Sequence, residues 1–478
     1  MSKNKLLLLS IPLAAIAAQL VYMLMGSGSD SYLCALPKDA TAIARLDVAE
    51  FVDELDFSEA ERKQLLWRCA QVDEVSDIGL DLRRPLYGFA TQKGDFGVVA
   101  AVADDDAFAR LCKSYYEKGM ATETVRQRGY YWTVVQGQWV LAFDSKKALL
   151  MGPAVGAGQE QVRTEMARLL SQDRDESGEQ QTLFQHLKAG EALTAVVTPE
   201  LVPSHVHAFL RPFGIHPADG ALLSLSLDFD DEEADLQADV LAESAEAKAA
   251  LKQTGTLFRP LKGQLLRFIS SSSPLWLTAN VQGSVLLDRI RQTSARGLLV
   301  ALNMVLDADR IIESFDGDIA VEMSRLPSSL SDLSALAEVS LTAKIASSDF
   351  LRNSSSWGNA WINVERLSDQ TFRLNWESAP LFFGVEDDVF YMGARPLPSR
   401  TSNAHPTDVI DDLSDKRFYA IADLQALMQI MGLEHRALPP IVRQMERLDV
   451  MMGEPGNFSL RFTAPKGTNI AKEVFLAP

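Results

Sequence analysis

Cysteine and histidine are scarce in this chain, three of one and six of the other in 478 residues. Cys34, Cys69 and Cys112 form no CxxC pair, which excludes a zinc knuckle. An odd count allows at most one disulfide. Cys69 in LLWRCA and Cys112 in FARLCKSY sit on apolar helical faces, where a free buried thiol is common. Of the histidines, only His205 and His207 are close neighbours, with His216 within reach. No Cys or acidic residue stands at a ligand spacing from them, so a solvated loop before Pro212 is the preferred reading over a zinc or nickel site.

Catalytic fingerprints are also missing. Gly26-Ser27-Gly28-Ser29 copies a nucleophile elbow only in letters, and Ser145-Lys146-Lys147 lacks the S-x-x-K spacing. There is no H-E-x-x-H, no P-loop, and no G-x-G-x-x-G after a strand. No catalytic, cofactor-binding or metal-binding residue is therefore assigned, and no cofactor is expected. Positive charge is in deficit: 46 Lys and Arg against 64 Asp and Glu give a net charge of −18. Nucleic acid and anionic lipid surfaces would repel such a chain. The acidic run Asp104–Asp106 reads as a helix cap. Asp228, Asp230, Asp231, Glu232 and Glu233 read as a hairpin tip, since EF-hand spacing is absent.

What the chain does have is a long apolar run near its start. Leu6–Met25, LLLLSIPLAAIAAQLVYMLM, holds twenty residues without a charge, after Lys3 and Lys5. That length spans a bilayer as one helix, and the lysines favour a cytoplasmic N-terminus. The run exceeds a cleavable signal's apolar region and no clean cleavage site follows, so an uncleaved signal anchor is preferred. Gly26–Ser31 would be a short tether. Ser31-Tyr32-Leu33 before Cys34 is too bulky for a lipidation site. The expected location is membrane-anchored, with the body in the periplasm or on the cell surface. The remaining composition, 47% hydrophobic and 23% charged, is that of an ordinary globular protein.

Beyond the tether, one order of elements recurs. Thr41–Leu55 and Leu275–Ile290 each pass from period two to period 3.6, strand to helix. Leu86–Leu111 matches Phe315–Met323 with Val339–Asn353, a strand pair before a helix. A hairpin follows in each copy: Tyr130–Phe143, turning at Gln136-Gly137, and Phe372–Val385, turning at Glu377–Pro380. Met151-Gly152 and Met392-Gly393 come next. Each copy then closes with a strand–helix unit, Ala192–Val206 or Arg417–Ile430, and a meander, Ala221–Glu243 or Arg447–Ala464. The expected fold class is α+β: two tandem related halves, each mainly antiparallel sheet with helices on one face, preceded by one N-terminal hydrophobic helix. The expected segments are 1–31 for anchor and tether, 32–270 for the first half and 271–478 for the second, with the polar run Ser270–Pro274 at the boundary.

Leu36–Asp47 (LPKDATAIARLD), Phe258–Ile269 (FRPLKGQLLRFI) and Gly317–Met323 (GDIAVEM) resemble an uncharacterised family of bacterial envelope proteins. The resemblance covers most of the chain after the apolar run. It implies an exported, membrane- or lipid-anchored protein of two repeated α+β halves with no assigned activity, and it supplies no catalytic residues. The lipidation motif of many such proteins is missing here.

Aromatic residues give the remaining functional signal. Tyr130, Trp132 and Trp139 fall in one hairpin, and Trp376 and Phe382 in the matching region. Alternation places Tyr130 and Trp132 on one face and Tyr131 on the other. Core packing is the ordinary role of such rings; a surface for a protein partner or a glycan is the functional one. The expected function is a membrane-tethered extracytoplasmic envelope protein that binds a partner or ligand without catalysis. The alternative is an exported hydrolase with an acidic cleft between the halves; a structural spacer ranks third.

Overall fold

The structure, a computed structural model, describes residues 30–476 except 56, 128, 189–190, 202–219, 271–272, 293–295, 324–338, 359–361, 377–378, 395–412, 414 and 431–444. The proposed anchor Leu6–Met25, the histidine pair with His216, and His405 and His435 lie outside the described residues. Among the described residues no helix is long and apolar enough to cross a membrane. The chain divides into two compact units: Met1–Pro203 with Ala221–Leu236 and Gly467–Pro478, and Ser204–Gly220 with Gln237–Lys466.

In the first unit the strands are β1 (Ala40–Leu46), β2 (Leu86–Thr91), β3 (Phe96–Ala101), β4 (Val125–Gln127), β5 (Tyr130–Val135), β6 (Trp139–Phe143), β7 (Lys147–Gly152), β8 (Leu193–Val197) and β9 (Ala221–Phe229). They pair antiparallel in the order β4-β5-β6-β7-β3-β2-β1-β8-β9. Among the helices that accompany them are α1 (Val48–Glu54), α2 (Glu59–Ala70), α3 (Asp105–Glu117) and α4 (Ala157–Ser171). Local chemistry starts the first three. The Asp47 carboxylate accepts the Ala49 and Glu50 N–H groups at 3.2 and 3.3 Å, Ser58 and Glu61 form a capping box, and Asp104 accepts the Ala107 N–H at 2.9 Å. The β5–β6 turn falls at Gln136-Gly137 as expected. Both residues have positive φ, 49° and 71°, and the Gln138 N–H donates to the Val135 carbonyl at 3.3 Å across the three-residue loop.

Both faces of this sheet are buried. One carries Leu46, Ala100, Phe143 and Ala148 against Phe51 of α1, Leu65 of α2 and Phe108 of α3. The other carries Ile43, Val99, Val140 and Leu149 against Val162, Met166 and Leu169 of α4. The expectation of helices on one face is corrected here. The apolar runs Val98–Val102 and Ala148–Met151 already demand cover on both sides, because neighbouring residues of a strand point oppositely. Tyr131 lies on the first face, stacked at 5.1 Å on Phe143, and Tyr130 lies on the second, as alternation predicts.

Strand β10 (Glu233–Ala242) begins in the first unit and continues into the second. The acidic run before it is a hairpin tip: the Asp230 and Glu233 backbones bond mutually at 3.0 and 3.3 Å. Asp231 and Glu232 there accept from Asn469 at 3.0 Å and from the Gly467 N–H at 2.5 Å, holding the C-terminal segment.

The second unit holds β11 (Phe258–Arg259), β12 (Leu275–Gln282), β13 (Phe315–Met323), β14 (Val339–Ile345), β15 (Asn363–Arg366), β16 (Thr371–Trp376), β17 (Ala379–Glu386), β18 (Val389–Gly393), β19 (Phe418–Asp423), β20 (Arg447–Met452) and β21 (Asn457–Thr463). The run β15-β16-β17-β18-β14-β13-β12-β19-β20-β21 is antiparallel throughout. Gly283 opens the helix Gly283–Arg291 because a Cβ there would lie 2.1 Å from the Ile312 carbonyl oxygen. The helix expected at the end of Val339–Asn353 is instead the 3-10 stretch Asp349–Ser356. Phe258–Ile269 passes from the short strand β11 to a 3-10 turn at Leu266–Phe268. Asp318, 2% exposed, accepts the Lys262 and Gln264 backbone N–H groups at 3.1 and 3.2 Å and pins the loop over the sheet.

The fold class is corrected in a second respect. The 21 strands belong to one hydrogen-bonded sheet, not to two separate ones; β10 pairs with both β9 and β21. Side-chain alternation tells which face of a strand is buried. It says nothing of which backbone edge finds a partner, and an unpaired edge is a strong template for pairing.

Glu54, at the end of α1, supplies a test of the first unit. Burial first, then the charges of Asp228, Glu50, Glu191 and Asp47, push its carboxyl up to about 7. The native state therefore holds the proton more tightly than the unfolded chain. Its stabilising contribution is complete below the unfolded value and is lost as pH rises through about 7. Melting temperature should fall between mildly acidic and mildly alkaline buffer, and Glu54→Gln should flatten that part of the profile. An unchanged profile in the variant would contradict the assignment.

Candidate functional site

The aromatic residues singled out from sequence divide between the units. Trp376 and Phe382 belong to the second: Trp376 pairs through its backbone with Ala379, its side chain lying outside the described set, and half-buried Phe382 stands opposite Arg373. Tyr130, Trp132 and Trp139 lie in the first. Tyr130 is buried among the side chains under α4, and Trp139 is half-buried against Gly152, where a Cβ would come within 2.9 Å of its ring.

Trp132 stands apart from these. Its ring packs on the core beneath α4, and it lines a cavity of about 420 Å³ with Thr122, Val125, Val134, Val140 and Arg163. The hairpin and α4 build this groove together. α4 turns Val162, Met166, Leu169 and Leu170 inward, a spacing of four, three and one that fixes its roll on β6 and β7. Its first turn is tied down by Gln159, which donates to the Gly137 and Ala154 carbonyls at 2.8 and 3.1 Å. Arg163 thereby reaches over Trp132, its guanidinium carbon 4.8 Å from the ring centroid. It donates to Glu160 at 2.5 Å and to Gln127 at 3.1 Å. On the opposite wall the Val134 N–H donates to the Thr122 hydroxyl at 2.9 Å, and the Thr133 hydroxyl donates to the Thr122 carbonyl at 2.6 Å.

The buried indole nitrogen Nε1 of Trp132 has no partner, a condition it shares with other buried atoms such as Trp357 Nε1 and Asp449 Oδ2. A buried donor left unpaired costs about 1–3 kcal/mol. Sequence reasoning found Trp132 but missed Arg163. Which polar residues of α4 cross to the hairpin depends on the roll of the helix, which the sequence does not state.

A family model described as a domain of unknown function, DUF4836, matches residues 40–447. The chain belongs to that family. A comparison with curated proteins returns no match. Among solved structures, crystal form III of TP0453 is similar over 46% of this chain and 82% of that one, at 12% identity and a TM-score of 0.30. Crystal form IV of the same protein gives 12% identity and a TM-score of 0.28 over 44% and 81%. Neither likeness identifies a site.

A buried polar network in the second unit was also invisible in the sequence. Asp449, 0% exposed, accepts from the Tyr419 hydroxyl at 2.9 Å and from Arg447 at 2.7 Å. Burial alone would draw Arg447 down; the bond to Asp449 and its charge outweigh this and raise it. The network is a packed ion pair inside the sheet rather than an open site. Among the described residues no group of three or more His, Cys, Asp or Glu is placed to hold a metal ion. Cys34 and Cys112 are free thiols, and burial pushes Cys112 up to about 12.

The unpaired indole N–H predicts an unusual pair of stabilities. Trp132→Phe keeps the ring and deletes the orphan donor, so melting temperature should hold or rise. Trp132→Ala also loses the packing and should cost on the order of 2 kcal/mol, below the fully buried range because the ring is only half-buried. A loss in Trp132→Phe as large as in Trp132→Ala would show that the N–H is already paired.

Proposed function

We propose that this member of the DUF4836 family is a membrane-tethered, extracytoplasmic binding protein whose ligand site is the Trp132 groove. The tether rests on the charge-free run Leu6–Met25 behind Lys3 and Lys5. Binding rests on one observation: a concavity of about 420 Å³ lined by half-buried Trp132, with Arg163 lying 4.8 Å over its ring, and by Val125, Val134 and Val140. The other aromatics offer less, since Tyr130 is buried and Trp139 is packed against Gly152.

The test is capture from native membranes by the full chain and by its Trp132→Ala variant, alongside protease treatment of intact and opened cells. A stoichiometric ligand held by the wild type and lost in the variant supports the reading, as does a body cleaved from outside. Equal capture by both, or a body protected in intact cells and cleaved only after opening, contradicts it. An exported hydrolase is the second reading, and Glu54 is the observation on its side. A carboxyl pushed up to about 7 suits a general acid. A hydrolytic activity abolished by Glu54→Gln would replace the binding reading.

A further inference from the structure

We infer that the segment Gly467–Leu476 is a releasable strap, and that its seat on the first unit is a docking site for the same segment of a second copy. The chain leaves the first unit after Leu236, spends Gln237–Lys466 in the second, and returns at Gly467. What it brings back is small. The helix Ile470–Leu476 packs on α2, and the segment contributes no strand. It buries Ile470, Ala471 and Phe475, with Val474 and Leu476 half-buried in the same cluster.

The seat is built from first-unit residues. Phe475 meets Phe51 of α1 edge-on at 5.4 Å and Phe229 of β9 at 6.0 Å, and those two rings meet each other edge-on at 6.0 Å. Polar contacts surround the rings. Arg68 donates to the Leu476 carbonyl at 2.6 Å, Lys472 lies 3.0 Å from Glu61, and the Ile470 N–H donates to the Asp231 carbonyl at 2.9 Å. With the Asn469 and Gly467 bonds to the hairpin tip, these hold both ends of the segment.

The seat stands without the strap, and the reverse does not hold. α1 starts on the Asp47 cap, α2 on the Ser58–Glu61 capping box, and β9 is paired to β8. None of those bonds involves the returning segment. Its own helix has seven residues, and a helix that short does not persist alone in water. The Lys472–Glu61 pair is part-exposed, at 38% and 27%, and holds it weakly. Release therefore opens one aromatic cluster and a few hydrogen bonds while every strand ladder stays closed. Such segments open locally, well below the cost of global unfolding.

An open seat exposes Phe51 and Phe229, and the structure already displays what fits there. A second copy offers the identical segment, with every contact of the seat reproduced. Exchange of an identical element is a low-cost route to a dimer. The closed monomer and the exchanged pair differ at the connection Ala464–Lys466 and in the entropy of association. Concentration decides between them.

Hydrogen exchange and light scattering on the full chain in detergent test both parts. The amides of 470–476 should exchange together, about 100-fold or more faster than those of β1 and β2. An excess of the peptide GTNIAKEVFL should raise that exchange saturably and leave β1 and β2 unchanged. The same peptide with Phe475→Ala should need about 10–100-fold more, since the buried ring is its anchor. At rising protein concentration a dimer should form, and the peptide should dissolve it. Strap amides that exchange only at the rate of β1 and β2 overturn the strap. Fast exchange that the peptide does not alter overturns the seat as a docking site. A chain that stays monomeric at hundreds of micromolar, or a dimer indifferent to the peptide, overturns the second copy as its occupant.

Discussion

Burial of both faces of the first unit's sheet is the constraint on which its site depends. Ala148 and Leu149 are neighbours in β7, and they point into different cores. A strand that is apolar on both sides cannot leave either to water, at roughly 25 cal/mol per Å² exposed. α1, α2 and α3 cover one face, and α4 must cover the other. Once α4 lies across β6 and β7, Arg163 comes over the β5 aromatic and the groove exists.

Seen this way, the unpaired donor of Trp132 is a cost that the surrounding packing sustains. Val162, Met166 and Leu169 hold α4 from beneath, and Gln159 holds its first turn to the hairpin. Neither contact needs the indole nitrogen. The groove therefore keeps its shape without a bond to the indole nitrogen. The Asp449 network in the second unit is likewise incomplete, since Asp449 Oδ2 is buried without a partner. Its Tyr419 and Arg447 partners are spent on one carboxylate oxygen, inside the sheet.

Much of the local structure was legible in the sequence. The strand-to-helix passages at Thr41–Leu55 and Leu275–Ile290, the Gln136-Gly137 turn and the Asp104 cap follow from periodicity and from the chemistry of single residues. The acidic hairpin tip after β9 was legible for the same reason. What was not legible depends on which edges meet and how helices roll. Alternation could not say that β10 would pair with both β9 and β21 in one sheet. The runs Val98–Val102 and Ala148–Met151 did announce two covered faces, and reading them as one-sided strands was the error. Trp132 was visible as a candidate, but Arg163, thirty-one residues later, became its neighbour only through the register of β5–β7 and the roll of α4.

The central claim is that the ligand-free protein buries the Trp132 indole N–H beside Arg163 without an acceptor. Ultraviolet resonance Raman spectroscopy tests it, through the tryptophan band that reports indole hydrogen bonding, taken as the difference between wild type and Trp132→Phe. The account predicts that the Trp132 contribution appears where non-hydrogen-bonded indoles do. A contribution at the hydrogen-bonded position would mean the donor is already satisfied, and would contradict it.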